Sequence, residues 1–191
     1  DMIFMDTVSS YISYLSVSHT SFTHIVLGTK KEIGIVVDPP SGVSSERTVK
    51  TIQKLIGQQP KLQCSSSFLA QTLMNPNAAA HPTISYGCYR EKDLTKPFGK
   101  PPLFYQGVDE ATGEMLSTVS DECMELKRVL MTKYGDRSLD LSAMIHIKDT
   151  LFVYYYDKLG DKTNISTMLQ TSSAHRGLLH PMREVDTQDG K

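Results

Sequence analysis

The sequence predicts an α/β segment over residues 1–64, followed by a mainly α-helical domain over residues 65–191. Three observations carry this reading. Two short β-branched runs lie close together near the start; an amphipathic stretch and another short apolar run follow them; and beyond residue 65 apolar residues recur at three- and four-residue spacing.

The elements follow in chain order. Thr23 to Leu27 and Ile33 to Asp38 read as strands, with the turn-prone Gly28 between them. Pro39-Pro40-Ser41-Gly42 breaks the pattern. From Glu46 to Gln58, Val49, Ile52, Leu55 and Ile56 fall on one helical face, and Gly57 is placed as a C-cap. Lys61 to Cys64 reads as one last edge strand. Strand, helix and strand in succession form the closing half-turn of a parallel sheet. A small self-contained α+β motif is the alternative.

Ser66 to Ala80 reads as helical, with Pro76 kinking it or ending its first part. Lys92 to Pro102, rich in Lys, Pro and Gly, reads as a loop. Asp109 is a cap for a helix running to about Tyr134, with Leu116, Val119, Cys123, Leu126 and Leu130 along one face and Gly135 at its end. Leu141 to Tyr156 suits a helix by the spacing of Met144, Ile147, Leu151 and Tyr154, although Phe152 to Tyr156 also suits a strand. The spacing predicts a helix from Asp140. Asn164 to Ser173 is a further short helix, stopped near Gly177.

Composition narrows the partners. The 191 residues are 39% hydrophobic, enough to build a core, and 20 Lys+Arg against 21 Asp+Glu leave a net charge of −1. Nothing there suggests a nucleic-acid partner, which normally shows as a basic excess. No apolar run approaches the roughly 20 residues of a membrane span. Cys64, Cys88 and Cys123 form no CxxC pair and read as reduced thiols of a cytoplasmic protein. The chain opens Asp1-Met2 and closes Asp189-Gly190-Lys191, and we expect it to be a fragment.

Motif chemistry is sparse. No GxGxxG, Walker loop, GxSxG or HExxH occurs, and no two glycines are even two residues apart. His19 with His24, and His175 with His180, are five apart; neither pair shares a helical face, so no metal site is expected. His81 stands out. It follows Ala78-Ala79-Ala80 and precedes Pro82, which biases it away from helical geometry, so it is expected to project from a helix end. A structural histidine that caps or packs is the plainer alternative. His180-Pro181 repeats the pattern in a more polar setting and reads as an exposed turn histidine. Tyr86, Tyr89, Phe104 and Tyr105, interleaved with Arg90, Lys92, Lys96 and Lys100, read as a solvated loop rather than a base-stacking surface. Tyr154-Tyr155-Tyr156 reads as half core and half surface.

At Asn77-Ala78-Ala79-Ala80-His81-Pro82-Thr83-Ile84-Ser85-Tyr86-Gly87 and Pro102-Leu103-Phe104-Tyr105-Gln106-Gly107-Val108-Asp109-Glu110 the chain resembles the helical domain of the opine dehydrogenases, the octopine dehydrogenase-like enzymes. Val26 to Glu32 is similar to the last part of that family's Rossmann-like NAD-binding domain, and the likeness covers about residues 25 to 191. The resemblance implies an NADH-dependent enzyme that reductively condenses pyruvate with an amino acid, a monomer when complete. It implies His81 as the catalytic acid/base, supported by an arginine and an aspartate from a later segment. The nucleotide-binding loop is expected upstream of Asp1, and no cofactor-binding residue is assigned in this chain. The isolated chain is expected to be inactive. The alternative is a non-catalytic truncated paralogue acting as an amino-acid-binding or protein-interaction module.

Overall fold

The computed structural model describes residues 4–7, 12–17, 24–29, 32–38, 41–64, 67–73, 76–93, 95–96, 99–135 and 139–180. Five strands open the chain: β1 (Phe4–Thr7), β2 (Ile12–Val17), β3 (His24–Thr29), β4 (Glu32–Asp38) and, after helix α1 (Ser45–Ile56), β5 (Lys61–Cys64). Helices α2 (Phe68–Leu73), α3 (Pro76–Tyr89), α4 (Glu110–Tyr134), α5 (Ile147–Tyr155) and α6 (Ile165–Thr171) follow. An α/β segment thus leads into a mainly helical remainder.

β4 is the centre of a three-stranded sheet, parallel to β5 through Ile33↔Leu62 and Ile35↔Cys64 and antiparallel to β1 through Phe4↔Asp38. Ile33, Ile35, Val36 and Val37 are all buried, consecutive residues included, so both faces of the strand are covered. Ile35 and Val37 meet Val49 of α1, with Ile52 and Leu62 packed alongside. The strand–helix–strand unit is as expected, but Leu55 is 82% exposed. At about 100° per residue it lies roughly a third of a turn from Val49, outside the stripe that the sheet covers.

Gly28 is not a turn between partners. It sits inside β3, which pairs back onto β2 in a separate antiparallel pair (Ser13↔Gly28, Tyr14↔Val26). The register shifts there by one residue, and a glycine inside a strand commonly marks such an irregularity.

In the helical part, local caps behave as their residue types dictate. Ser44 accepts from the Arg47 amide, Asp109 from Thr112, and Asn164 forms a full capping box with Thr167. Gly57 (φ 91°) and Gly135 (φ 70°) end α1 and α4. The main core joins α3, α4, α5 and α6: Ala80, Ile84, Phe104, Val108, Leu116, Leu151, Ile165 and Met168. A smaller cluster of Ala70, Leu141 and Met144 is flanked by Met124, Leu130 and Met131.

Three expectations for the helices need correction. Residues 66–80 are not one kinked helix: α2 stops at Leu73 and α3 begins on Pro76, where a missing amide proton costs nothing, then runs through Pro82 to Tyr89. Leu126 is 42% exposed, because the second cluster draws Met124 and Leu130 rather than Leu126 off α4. Finally, α5 starts at Ile147 and not after Asp140. Asp140 instead accepts from the Ser142 amide (2.9 Å) and closes a turn there, with Met144 N–H bonding Leu141 C=O (3.0 Å). The last helix, expected over Asn164 to Ser173, forms over Ile165–Thr171 and is followed by a 3₁₀ turn over Ser173–His175.

Candidate functional site

His81 lies within α3, half-way along it and not at its end. Pro82 has no N–H for the Ala78 carbonyl, which ordinarily disfavours a helix interior. Here the ring is on the exposed side, where water can take that carbonyl, and the Thr83 hydroxyl donates to the next one, Ala79, at 2.8 Å. The helix therefore continues, and His81 is set by the helix face. One turn on, Ser85 presents its hydroxyl on the same side.

Two short extended segments close over that face. Phe104 N–H donates to Leu178 C=O (2.7 Å) and His180 N–H to Pro102 C=O (2.8 Å), so 102–104 and 178–180 pair antiparallel through Leu103 and Leu179. Gln106 strengthens the join, accepting from the Gly177 amide at 2.8 Å. These pairings bring three histidines around two aromatic rings. His81 meets the edge of Phe104 (centroids 5.0 Å) and its Nε2 is 3.2 Å from the Tyr105 hydroxyl. His180 packs against Phe104 (5.0 Å) and Tyr89 (4.8 Å), with Nε2 3.1 Å from Ser85 Oγ. His175 faces Tyr105 (4.4 Å) and Tyr155 (4.7 Å), its Nδ1 2.9 Å from Ser172 Oγ.

His180 is thus a core residue, 3% exposed, and not the surface turn histidine that its polar sequence neighbours suggest. The solvated-loop reading is corrected for the same reason: Tyr89 and Phe104 are buried, and only Tyr86 among the four aromatics is largely exposed. The sequence singled out His81 but missed that Tyr105, Ser85, His175 and His180 gather around it. The repeated His-Pro pair was the one signal available for His180.

The electrostatics follow from this packing. Partial burial pulls the His81 imidazole below its ordinary value, so the neutral form is favoured. Burial lowers His180 too, with a further contribution from charge on His81. Burial, then the neighbouring Tyr155, pushes the Tyr105 hydroxyl up to about 12, so it keeps its proton at any physiological pH. His81 can therefore exchange a proton while the Tyr105 hydroxyl beside it stays uncharged. Among the described residues no three His, Cys, Asp or Glu side chains are grouped as a metal would require, and no helix is long and apolar enough to cross a membrane.

The β4–α1 corner does not fit a dinucleotide pyrophosphate. Glu46 puts a carboxylate in the first turn of α1, where it would repel phosphate, and Ser44 already occupies the Arg47 amide.

Comparison with known proteins fits this architecture. A family model described as the alpha-helical domain of NAD/NADP octopine/nopaline dehydrogenase matches residues 64–187. Tauropine dehydrogenase of Arabella iricolor is 36% identical over 141 residues, covering 73% of this chain and 34% of the relative. Octopine dehydrogenase of Mizuhopecten yessoensis is 32% identical over 161 residues, covering 84% and 39%. A solved octopine dehydrogenase described with NADH and L-arginine superposes with a TM-score of 0.79 at 27% identity, over 96% of this chain and 44% of that one. The form described with NADH and pyruvate gives 0.73 at 26% identity, over 96% and 43%. The chain therefore spans little more than a third of the length of the curated relatives it matches.

Proposed function

The chain belongs to the octopine/nopaline dehydrogenase family, and from that premise we propose that it forms part of an enzyme that reductively condenses pyruvate with an amino acid, NADH being the hydride source. His81 is the proton-transfer residue. The observation that carries this role is its setting. One ring nitrogen of His81 is held by Tyr105, and Nδ1 has no partner among the described residues. Desolvation favours the neutral ring.

A neutral imidazole is the form that can receive the proton an amine sheds as it attacks a keto carbon. The imidazolium so formed can return that proton to the oxygen that departs as water. The group is reset at the end, as acid/base catalysis near neutral pH requires. Because the described corner of the sheet does not fit the nucleotide, no further step is assigned to these residues. The division of the chain at residues 64 and 65 belongs to the same proposal, supported by the end of β5 at Cys64 and the start of the family match there. So does a cytoplasmic location, supported by the absence of paired cysteine motifs.

The test is turnover by the complete enzyme carrying this sequence, with His81→Asn. We expect kcat to fall by about two to four orders of magnitude, with NADH affinity kept. Near-full activity in that variant would overturn the role.

A further inference from the structure

We propose that Tyr105 is the positioning residue of His81: its hydroxyl oxygen accepts from Nε2–H in both charge states of the ring, so that the proton that moves is the one at Nδ1. This deepens the proton-transfer role assigned above and rests on it.

The geometry of Tyr105 is set independently of His81. Its ring lies against His175 at 4.4 Å and meets Phe104 edge-on at 4.8 Å. Its carbonyl accepts from the Val108 amide at 3.3 Å. The residues on either side are tied to the closing strand, Phe104 through Leu178 C=O and Gln106 through the Gly177 amide. The hydroxyl is therefore a fixed point, 3.2 Å from Nε2, to which the freer imidazole on α3 is referred.

The chemistry then selects the roles. An imidazole that accepts and returns a proton at one nitrogen must keep the other protonated throughout. Donation of the proton at the reacting nitrogen from a neutral ring would leave an imidazolate, which is inaccessible near neutral pH. With Nε2 facing Tyr105 and Nδ1 open, the retained proton is at Nε2 and needs an acceptor. A phenol that never ionises in the working range supplies that acceptor without adding a second titration. The bond is stronger to the imidazolium than to the neutral ring, because a charged donor gives the stronger hydrogen bond. Among the described residues His180, brought in by the closing strand and itself held low by burial, feels the charge on His81 across the aromatic cluster.

The experiment is nitrogen-15 NMR of the complete protein carrying this sequence, free of nucleotide, with the imidazoles followed through a pH titration, for wild type and Tyr105→Phe. Phenylalanine keeps the ring contacts with Phe104 and His175. We expect the variant to lower the His81 pKa by roughly half to one pH unit. A rise would mean that Tyr105 donates to a bare Nε2, and no change would mean that the contact does not position the ring; either overturns the proposal. The wild type alone gives a second reading that needs no variant. Two-bond proton–nitrogen couplings in the neutral state should report Nε2–H, and Nδ1–H would refute it. Neither reading involves nucleotide or turnover, so a failure here leaves the acid/base role of His81 standing, while an active His81→Asn enzyme would remove that role without touching these titrations.

Discussion

Arg90 and Asp109 are joined by a 2.7 Å bond from Nη2 to Oδ2, and this pair closes the ends of the loop that carries Phe104 and Tyr105. Arg90 stands at the C-terminus of α3, where its other arm donates to Gly87 C=O (3.0 Å) and Thr112 Oγ1 (2.9 Å). Asp109 is the N-cap of α4, its Oδ1 accepting from the Thr112 amide at 2.8 Å. A cation at one helix end and an anion at the next match the polarity of both helices. The aromatic strap over His81 is thus held at its root by an ion pair and a cap at once.

Separating those two parts gives the first prediction. Asp109→Ala loses both and should lower stability by about 1 kcal/mol or somewhat more, the usual cost of an N-cap. Asp109→Asn keeps an acceptor for Thr112 and should lose less than half of that, since an ion pair with a half-exposed carboxylate contributes little. Thermal unfolding at pH 7 compares the two. Equal losses would show that the ion pair dominates.

The same carboxylate makes a pH prediction. Bonds from Arg90 first, and then from Thr112, hold Asp109 down at about 2. A carboxylate whose folded-state pKa is depressed contributes stability that is complete above its unfolded value of about 3.9 and is lost as pH falls through the folded value. The decline should therefore fall between about pH 4 and pH 2. In Asp109→Asn the unfolding curve in that window should be shallower than in wild type, while above pH 5 the two curves should run parallel.

His180 works the other end of the scale. Burial, with His81 nearby, lowers its pKa, so the folded chain binds a proton there less readily than the unfolded chain. The sign is that stability is complete above about pH 6.5, the unfolded histidine value, and falls as pH drops toward the folded value. Unfolding midpoints measured from pH 7.5 to 5 should decrease. His180→Gln keeps a partner for Ser85 and removes the titration, so its slope should be smaller. An unchanged slope would mean that other groups carry the pH dependence.

Much of this arrangement was legible because it is local. The cap at Asp109, the glycine stops at Gly57 and Gly135, and the short strand over Lys61–Cys64 each depend on a few adjacent residues. His81 was found, but its place in the helix was not. Pro82 reads in the sequence as biasing His81 away from a helix, yet it is tolerated inside α3 because its ring faces solvent and Thr83 bonds the Ala79 carbonyl. His180 was misread for a different reason. Its burial comes from the pairing of Leu103 with Leu179, and nothing in the polarity of its immediate neighbours reports a partner so distant in sequence. The hairpin-like pairing of β2 with β3 is hidden as well, since the sequence predicts no strand over 12–17.

Close packing between α4 and α6 sets opposing effects against each other at one residue. A Cβ on Gly113 would stand 2.9 Å from both the Ser166 amide nitrogen and its Cβ. One of these is backbone and cannot rotate away, so the helices must separate. Alanine gains about 1 kcal/mol in helix propensity over glycine, whereas forced overpacking costs typically 1–3 kcal/mol. Gly113→Ala should therefore be net destabilising or at best neutral, despite its favourable propensity. Chemical denaturation decides it, and a variant more stable than wild type would show that α6 shifts at little cost.

The late start of α5 supplies the last prediction. Lys127 of α4 donates to Met144 C=O at 2.7 Å, and Ser120, 9% exposed, accepts from the Ile147 amide at 2.9 Å. His146 then caps the helix, its Nδ1 accepting from Lys148 N–H at 3.1 Å. Two side chains of α4 thus hold the chain in a turn through Met144 and release it into a helix only at Ile147. Ser120→Ala removes the acceptor and leaves a partly buried amide without one, a loss of about 1–3 kcal/mol. Ser120→Thr restores the hydroxyl and should recover part of that loss. Hydrogen exchange at the Ile147 amide gives the site-specific check: it should speed up in the alanine variant well beyond the change in global stability. Exchange that follows global stability alone would mean that His146 is sufficient to begin the helix.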